Sequence, residues 1–88
     1  MIETTVKIIN NAGLHTRPAA TIVKLAAKYK SNFYLEKDGM QINGKSIIGV
    51  MTLAAEKGSE IKLIFDGEDE EEAAKEIVDY FNRGFDEL

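Results

Sequence analysis

The sequence contains no cysteine and no tryptophan. Without thiols there is no disulfide, no thiolate metal site and no cysteine nucleophile, and such a composition suits a reducing compartment. There is one histidine, His15, and one proline, Pro18. A lone imidazole argues against a histidine-rich metal centre, and no identifiable Ser and Asp pair with it as a triad hydrolase requires. No apolar run approaches the roughly 20 residues of a membrane-spanning helix, and no secretory pattern opens the chain. A cytoplasmic location without direct membrane insertion is therefore expected. Basic residues are few: 11 Lys and Arg against 15 Asp and Glu give a formal charge of −4, a balance that argues against a nucleic-acid partner.

The 88 residues, 44% hydrophobic and 30% charged, fit one globular domain over 1–88. Alternating β-branched residues predict a strand over 2–9, closed by the turn residues Asn10 to Gly13. A helix follows from Arg17 or Pro18 to about Lys28. Its apolar stripe is Ala19, Ile22, Val23, Ala26 and Ala27, and its basic end (Lys24, Lys28, Lys30) suits the helix dipole. Asn32 to Lys37 and Met40 to Asn43 read as strands joined by the two-residue Asp38-Gly39 turn. A short helix follows Ser46, and Glu60 to Phe65 alternates as a fourth strand with Ile61, Leu63 and Phe65 on one face. The acidic run Asp66 to Glu72 complements the start of a last helix with the stripe Ala74, Ile77, Val78, Phe81 and, at its end, Phe85. It lacks calcium-loop spacing, so no metal is expected there. The order βαββαβα predicts an α+β fold: a four-stranded antiparallel sheet with three helices packed on one face.

Two stretches carry chemistry. In Gly13-Leu14-His15-Thr16-Arg17-Pro18-Ala19-Ala20 the proline suits the first turn of a helix, where its missing N–H is no loss. His15, Thr16 and Arg17 then lie at the helix mouth, where unpaired amides and the positive dipole end attract anions. A neutral imidazole there is a nucleophile able to take and give a phosphoryl group, with Arg17 forked onto its oxygens. The plainer alternative makes His15 a capping or surface residue. In Ser46-Ile47-Ile48-Gly49-Val50-Met51-Thr52-Leu53 the serine is a good N-cap, and the helix is apolar nearly all round. A short helix on a two-layer fold buries one side only, so Ile47, Ile48 and Met51 are candidates for a contact patch, or else scattered surface residues. Gly49, costly in a helix interior, suggests a partner's backbone coming close. Lys24 and Arg17 would steer an acidic partner towards His15.

These two motifs, at this separation and in this order of elements, resemble HPr, the histidine-containing phosphocarrier family of the bacterial phosphoenolpyruvate:sugar phosphotransferase system. The resemblance spans essentially the whole chain. It implies a carrier rather than an enzyme, monomeric, without cofactor or metal. His15 would take phosphate on Nδ1 from phosphorylated Enzyme I and pass it to IIA domains of sugar permeases. Arg17 and the amides of Thr16 and Arg17 would stabilise the phosphohistidine. Ser46 matches the serine modified by HPr kinase/phosphorylase, a modification that favours binding to a catabolite transcription regulator. Ala20, Lys24, Ile47, Ile48 and Met51 fall on the docking surface for partners. Two departures are visible. Ala54 stands where many members have glycine, and the segment from Gly84 to Leu88 makes a terminal-carboxylate contact to His15, found in some members, unexpected here. Two alternatives stand beside the transport carrier: a nitrogen-branch or catabolite-repression regulatory relative, and a small interaction module without phosphate chemistry.

Overall fold

Alternation along the fourth strand decides which way the molecule faces. Ile61, Leu63 and Phe65 are fully buried, and their strand mates point to the opposite side of the sheet, as the period of two requires. The computed structural model describes residues 1–88. Its elements are β1 (Ile2–Lys7), α1 (Thr16–Ala27), β2 (Asn32–Lys37), β3 (Met40–Asn43), α2 (Ile47–Thr52), β4 (Glu60–Asp66) and α3 (Glu70–Asn82), followed by a 3-10 turn over Gly84–Asp86. The four strands form one sheet in the order β1-β4-β2-β3, antiparallel throughout. The order of elements matches the expectation. β1 ends at Lys7 rather than residue 9, although Ile8 still pairs irregularly through its amide to the Ser59 carbonyl at 2.9 Å.

The core forms where the inner face of the sheet meets the helices. Leu63 lies opposite Thr4 and Leu35, and Phe65 opposite Ile2 and Phe33. The Phe33 and Phe65 rings stack with centroids 4.7 Å apart. Against this face pack Ala19, Ile22 and Ala26 of α1, Val50 of α2, and Ala73, Ala74, Ile77, Tyr80 and Phe81 of α3. Tyr80 and Ala73 are core residues that the expected stripe of α3 omitted. Burying one large apolar side chain contributes about 1.5–3 kcal/mol, so this layer is the main source of stability. The outer face mixes polar residues, Lys62 lying 3.3 Å from Glu3, with the apolar Ile64 opposite Glu3 and Tyr34.

Turn chemistry connects the layers. Asp38 and Gly39 both have positive φ, 51° and 82°, as the tight turn of a two-residue hairpin demands. The first turn of α3 carries Glu70, Glu71 and Glu72, which the dipole favours. Asp69 sits at the N-cap of α3 but makes no cap hydrogen bond to its own helix. Its carboxylate crosses to the α1–β2 turn, accepting from the amides of Lys30 and Ser31, each at 2.9 Å, and from the Ser31 hydroxyl. Lys28, expected on a solvated face, reaches Glu76 of α3 at 2.7 Å. No helix is long and apolar enough to cross a membrane.

Candidate functional site

The loop between β1 and α1 is built to hold its residues still. Asn10 is fully buried, and its Nδ2 donates to the Gly13 carbonyl at 2.9 Å. The Leu14 amide donates to the Ala55 carbonyl at 2.9 Å, and the Leu14 side chain is buried in the core. Gly13 has φ +71°, and a Cβ there would meet the Ala55 carbonyl oxygen at 2.7 Å. Both the left-handed backbone and the close approach require glycine. The chain is thus pinned on both sides of its turn just before His15.

His15 is the N-cap of α1, in extended backbone, and its side chain caps nothing. Its carbonyl accepts from the Ala19 amide at 3.0 Å, which starts the helix. Pro18 has no N–H to offer. The amides of Thr16 and Arg17 therefore remain as the unpaired donors of the first turn, with no acceptor in the protein. Thr16 and Arg17 are exposed and His15 is half-buried. The Arg17 guanidinium makes no salt bridge with any carboxylate of the chain. Two free amides, the positive end of a helix and an uncommitted guanidinium make this mouth suited to a dianion beside an imidazole.

One partner of His15 was not visible in the sequence. Glu87, which follows the 3-10 turn, places Oε2 2.7 Å from His15 Nε2 and accepts through Oε1 from Asn10 Nδ2 at 2.8 Å. A carboxylate does reach the histidine, then, through a side chain. Desolvation works to raise the Glu87 carboxyl, but the Asn10 and His15 hydrogen bonds and the charges of His15 and Arg17 prevail and hold it below its ordinary value. Glu87 lies 72 residues from His15 and 77 from Asn10. It belongs to no motif, so no sequence pattern could have found it.

α2 lies next to this mouth. Ser46 is its N-cap, its hydroxyl accepting from the Gly49 amide at 3.2 Å. Gly49 has a reason inside the fold: a Cβ would stand 3.2 Å from the Asn43 carbonyl oxygen and 3.5 Å from the Ser46 side chain. That crowding comes from the turn before α2 and is a reason for glycine within the fold, beside the expected approach of a partner's backbone. Val50 is buried, while Ile47, Ile48 and Met51 are 39%, 77% and 37% exposed. A groove of about 610 Å³ lies beside His15, lined also by Leu14, Met51, Ala54 and Ala55. Met51 also borders the hollow formed by Ile47, Ile48 and Thr52, so the imidazole and the apolar patch are continuous. On α1, half-buried Ala20 and exposed Lys24 share one helix face at a spacing of four. No group of three or more His, Asp or Glu side chains is arranged to hold a metal ion.

The site is thus a single half-buried imidazole at a helix mouth, on an open four-stranded antiparallel sheet covered on one side by three helices. The family model for the PTS HPr component phosphorylation site matches residues 2–83, and the chain belongs to the HPr family of phosphocarriers. It is 44% identical over 87 residues to the phosphocarrier protein HPr of Treponema pallidum, covering 99% of both chains. It is also 44% identical over 80 residues to the HPr-like protein Crh of Bacillus subtilis, covering 91% of this chain and 94% of that one. The fold is similar to the crystal structure of HPr-C-His from Thermoanaerobacter tengcongensis, with a TM-score of 0.95 and 45% identity over 100% of this chain and 99% of the other.

Proposed function

We infer that this protein accepts a phosphoryl group on His15 from phosphorylated Enzyme I and donates it to IIA domains of sugar permeases, acting as a cytoplasmic monomer of one domain. In each transfer a ring nitrogen of His15 attacks phosphorus, the P–N bond to the donor histidine breaks, and the donor imidazole leaves. The return step is the same reaction with a IIA histidine as the attacking group. The bonds made and broken are alike, so little covalent assistance is needed, and the protein's contribution is position and charge. Nδ1 is the nitrogen that the family resemblance implies.

The observation that supports this most is the helix mouth itself. The amides of Thr16 and Arg17, unpaired within the protein, follow His15 directly at the start of α1, and Arg17 makes no ion pair, so all three are free to meet a phosphoryl dianion carried on His15. Docking on Ala20, Lys24, Ile47, Ile48 and Met51 would bring the donor and acceptor histidines over that mouth. Incubation with phosphoenolpyruvate and a cognate Enzyme I is expected to add one acid-labile phosphoryl mass, absent in His15→Ala. No gain with a competent Enzyme I would remove the reading.

A second reading, regulation through Ser46, draws on the similarity to the HPr-like protein Crh and on the Ser46 position at the start of α2. A phosphate there gains the helix dipole but sets a dianion beside the Ile47 and Ile48 patch. HPr kinase/phosphorylase with ATP would then modify wild type and not Ser46→Ala. A catabolite transcription regulator would bind only the modified form. Binding that ignores the modification would end this version.

A further inference from the structure

The segment that delivers Glu87 is held on several sides. Gly84 has φ +63°, and Phe85 and Asp86 follow in the same left-handed region at 58° and 61°, a backbone that side chains other than glycine adopt only at a cost. Two sets of contacts hold it there. The buried Phe85 ring packs against Phe81 and Tyr80, with centroids 5.0 and 5.2 Å away. Arg83 bridges Asp79 and Asp86, its Nε 2.7 Å from Asp86. The Glu87 side chain is then directed onto His15, where it meets two donors at once. Asn10 Nδ2 occupies Oε1, which leaves Oε2 for Nε2 of the ring.

We propose that Glu87 is a positioning residue for phosphoryl transfer, whose carboxylate keeps the ring hydrogen on Nε2 and so leaves Nδ1 as the nucleophilic nitrogen of His15. An ionised carboxylate only accepts hydrogen bonds, so the 2.7 Å contact requires Nε2 to be the donor. In a neutral imidazole the other nitrogen then holds the lone pair, and which nitrogen that is depends on the hydrogen bond its twin makes. Nδ1 has no partner in the protein. When Nδ1 attacks phosphorus, the ring keeps hydrogen on Nε2 and gains a bond to phosphorus on Nδ1, so it carries a positive charge until the phosphoryl leaves. That charge develops against the Glu87 carboxylate, while the phosphoryl oxygens face the α1 amides and Arg17. The two ends of the ring are thus met by opposite charges. Asn10, tied to both Gly13 and Glu87, holds the carboxylate in register with the helix mouth.

The proposal rests on His15 as the phosphoryl acceptor, and two readouts keep the two claims apart. The first is the nitrogen-15 NMR spectrum of the His15 ring, taken without any donor on the full chain at a pH where the ring is neutral. Wild type is expected to show the Nε2–H tautomer, and Glu87→Ala a mixture in which the Nδ1–H share rises at least threefold. Phe85 remains in place in that variant, so the fold is kept, and the amide spectrum checks this. An unchanged tautomer ratio in folded Glu87→Ala overturns the proposal. The second readout uses potassium phosphoramidate, whose P–N bond breaks with release of ammonia as a ring nitrogen takes the phosphoryl group. Phosphorus NMR then reports the site: Nδ1 in wild type, with an Nε2 fraction appearing in Glu87→Ala. The same regiochemistry in both proteins overturns the proposal. A wild type that shows the expected tautomer yet accepts no phosphoryl, here or from Enzyme I, overturns the carrier reading and leaves the tautomer assignment intact.

Discussion

Asn10 Nδ2 donates to Glu87 Oε1 at 2.8 Å, joining residues 77 apart in the chain. The same Nδ2 donates to the Gly13 carbonyl. One buried amide thereby ties the loop before His15 to the segment after α3, and the imidazole lies between them. The site is therefore supported from two ends of the sequence, with α1 supplying its charge.

Replacing Arg17 with Ala should leave the fold intact, because the side chain is exposed and makes no ion pair. On the proposed role, its loss would remove charge-assisted hydrogen bonds to the phosphoryl oxygens, worth about 1.5–3 kcal/mol. Phosphoryl transfer from Enzyme I should slow by about 10- to 100-fold, measured by rapid-quench assay. Arg17→Lys should recover only part, since an ammonium lacks the planar fork. Equal rates in wild type and Arg17→Ala would contradict the role given to this residue.

Ile48 is 77% exposed and takes no part in the core. Ile48→Asp should change stability by no more than about 0.5 kcal/mol. If Ile48 docks Enzyme I as proposed, the variant should weaken that binding by about tenfold or more, because a buried, unpaired charge at an apolar contact costs more than 1 kcal/mol. Calorimetric titration against Enzyme I measures this. Unchanged affinity would take Ile48 out of the docking surface.

Ala54, noted for standing where many relatives have glycine, has φ +48°. A side chain in that region is strained, and glycine is not. Ala54→Gly should stabilise the protein by about 1 kcal/mol, raising the melting temperature by about 4–8 °C. Thermal unfolding followed by circular dichroism would show this. A lower melting temperature would mean that the methyl contributes more through packing than the backbone loses.

Asp69 carries the clearest pH dependence. The Ser31 hydroxyl, then the Lys30 and Ser31 amides, pull its carboxyl from 3.8 down to about 2. A depressed carboxyl stabilises the fold fully above its unfolded value, and that contribution disappears as pH falls through the folded value. The melting-temperature gap between wild type and Asp69→Ala should therefore be constant above about pH 5. It should narrow between pH 3.8 and about 2. A gap independent of pH down to 2 would show that the Ser31 contact does not depend on the charge.

Most of what rests on neighbours a few residues apart was legible in the chain alone, although the α3 stripe missed Ala73 and Tyr80 and β1 stops two residues early. The alternation of Ile61, Leu63 and Phe65, the Asp38-Gly39 hairpin, Pro18 in the first turn of α1 (which begins at Thr16, not at Arg17 or Pro18) and Ser46 capping α2 are local patterns, and with them came the fold, the place of His15 and the exposed face of α2. What crosses between distant segments is visible only in the folded molecule. Glu87 meets His15 because a left-handed turn at Phe85 and a ring packed on Phe81 aim it there. Asp69 leaves its own helix for Ser31, and the space at Gly49 is limited by the Asn43 carbonyl. Backbone pattern encodes which way a residue faces. Where a side chain ends up across the fold depends on turn angles and packing summed over dozens of residues, and no short stretch of sequence carries that sum.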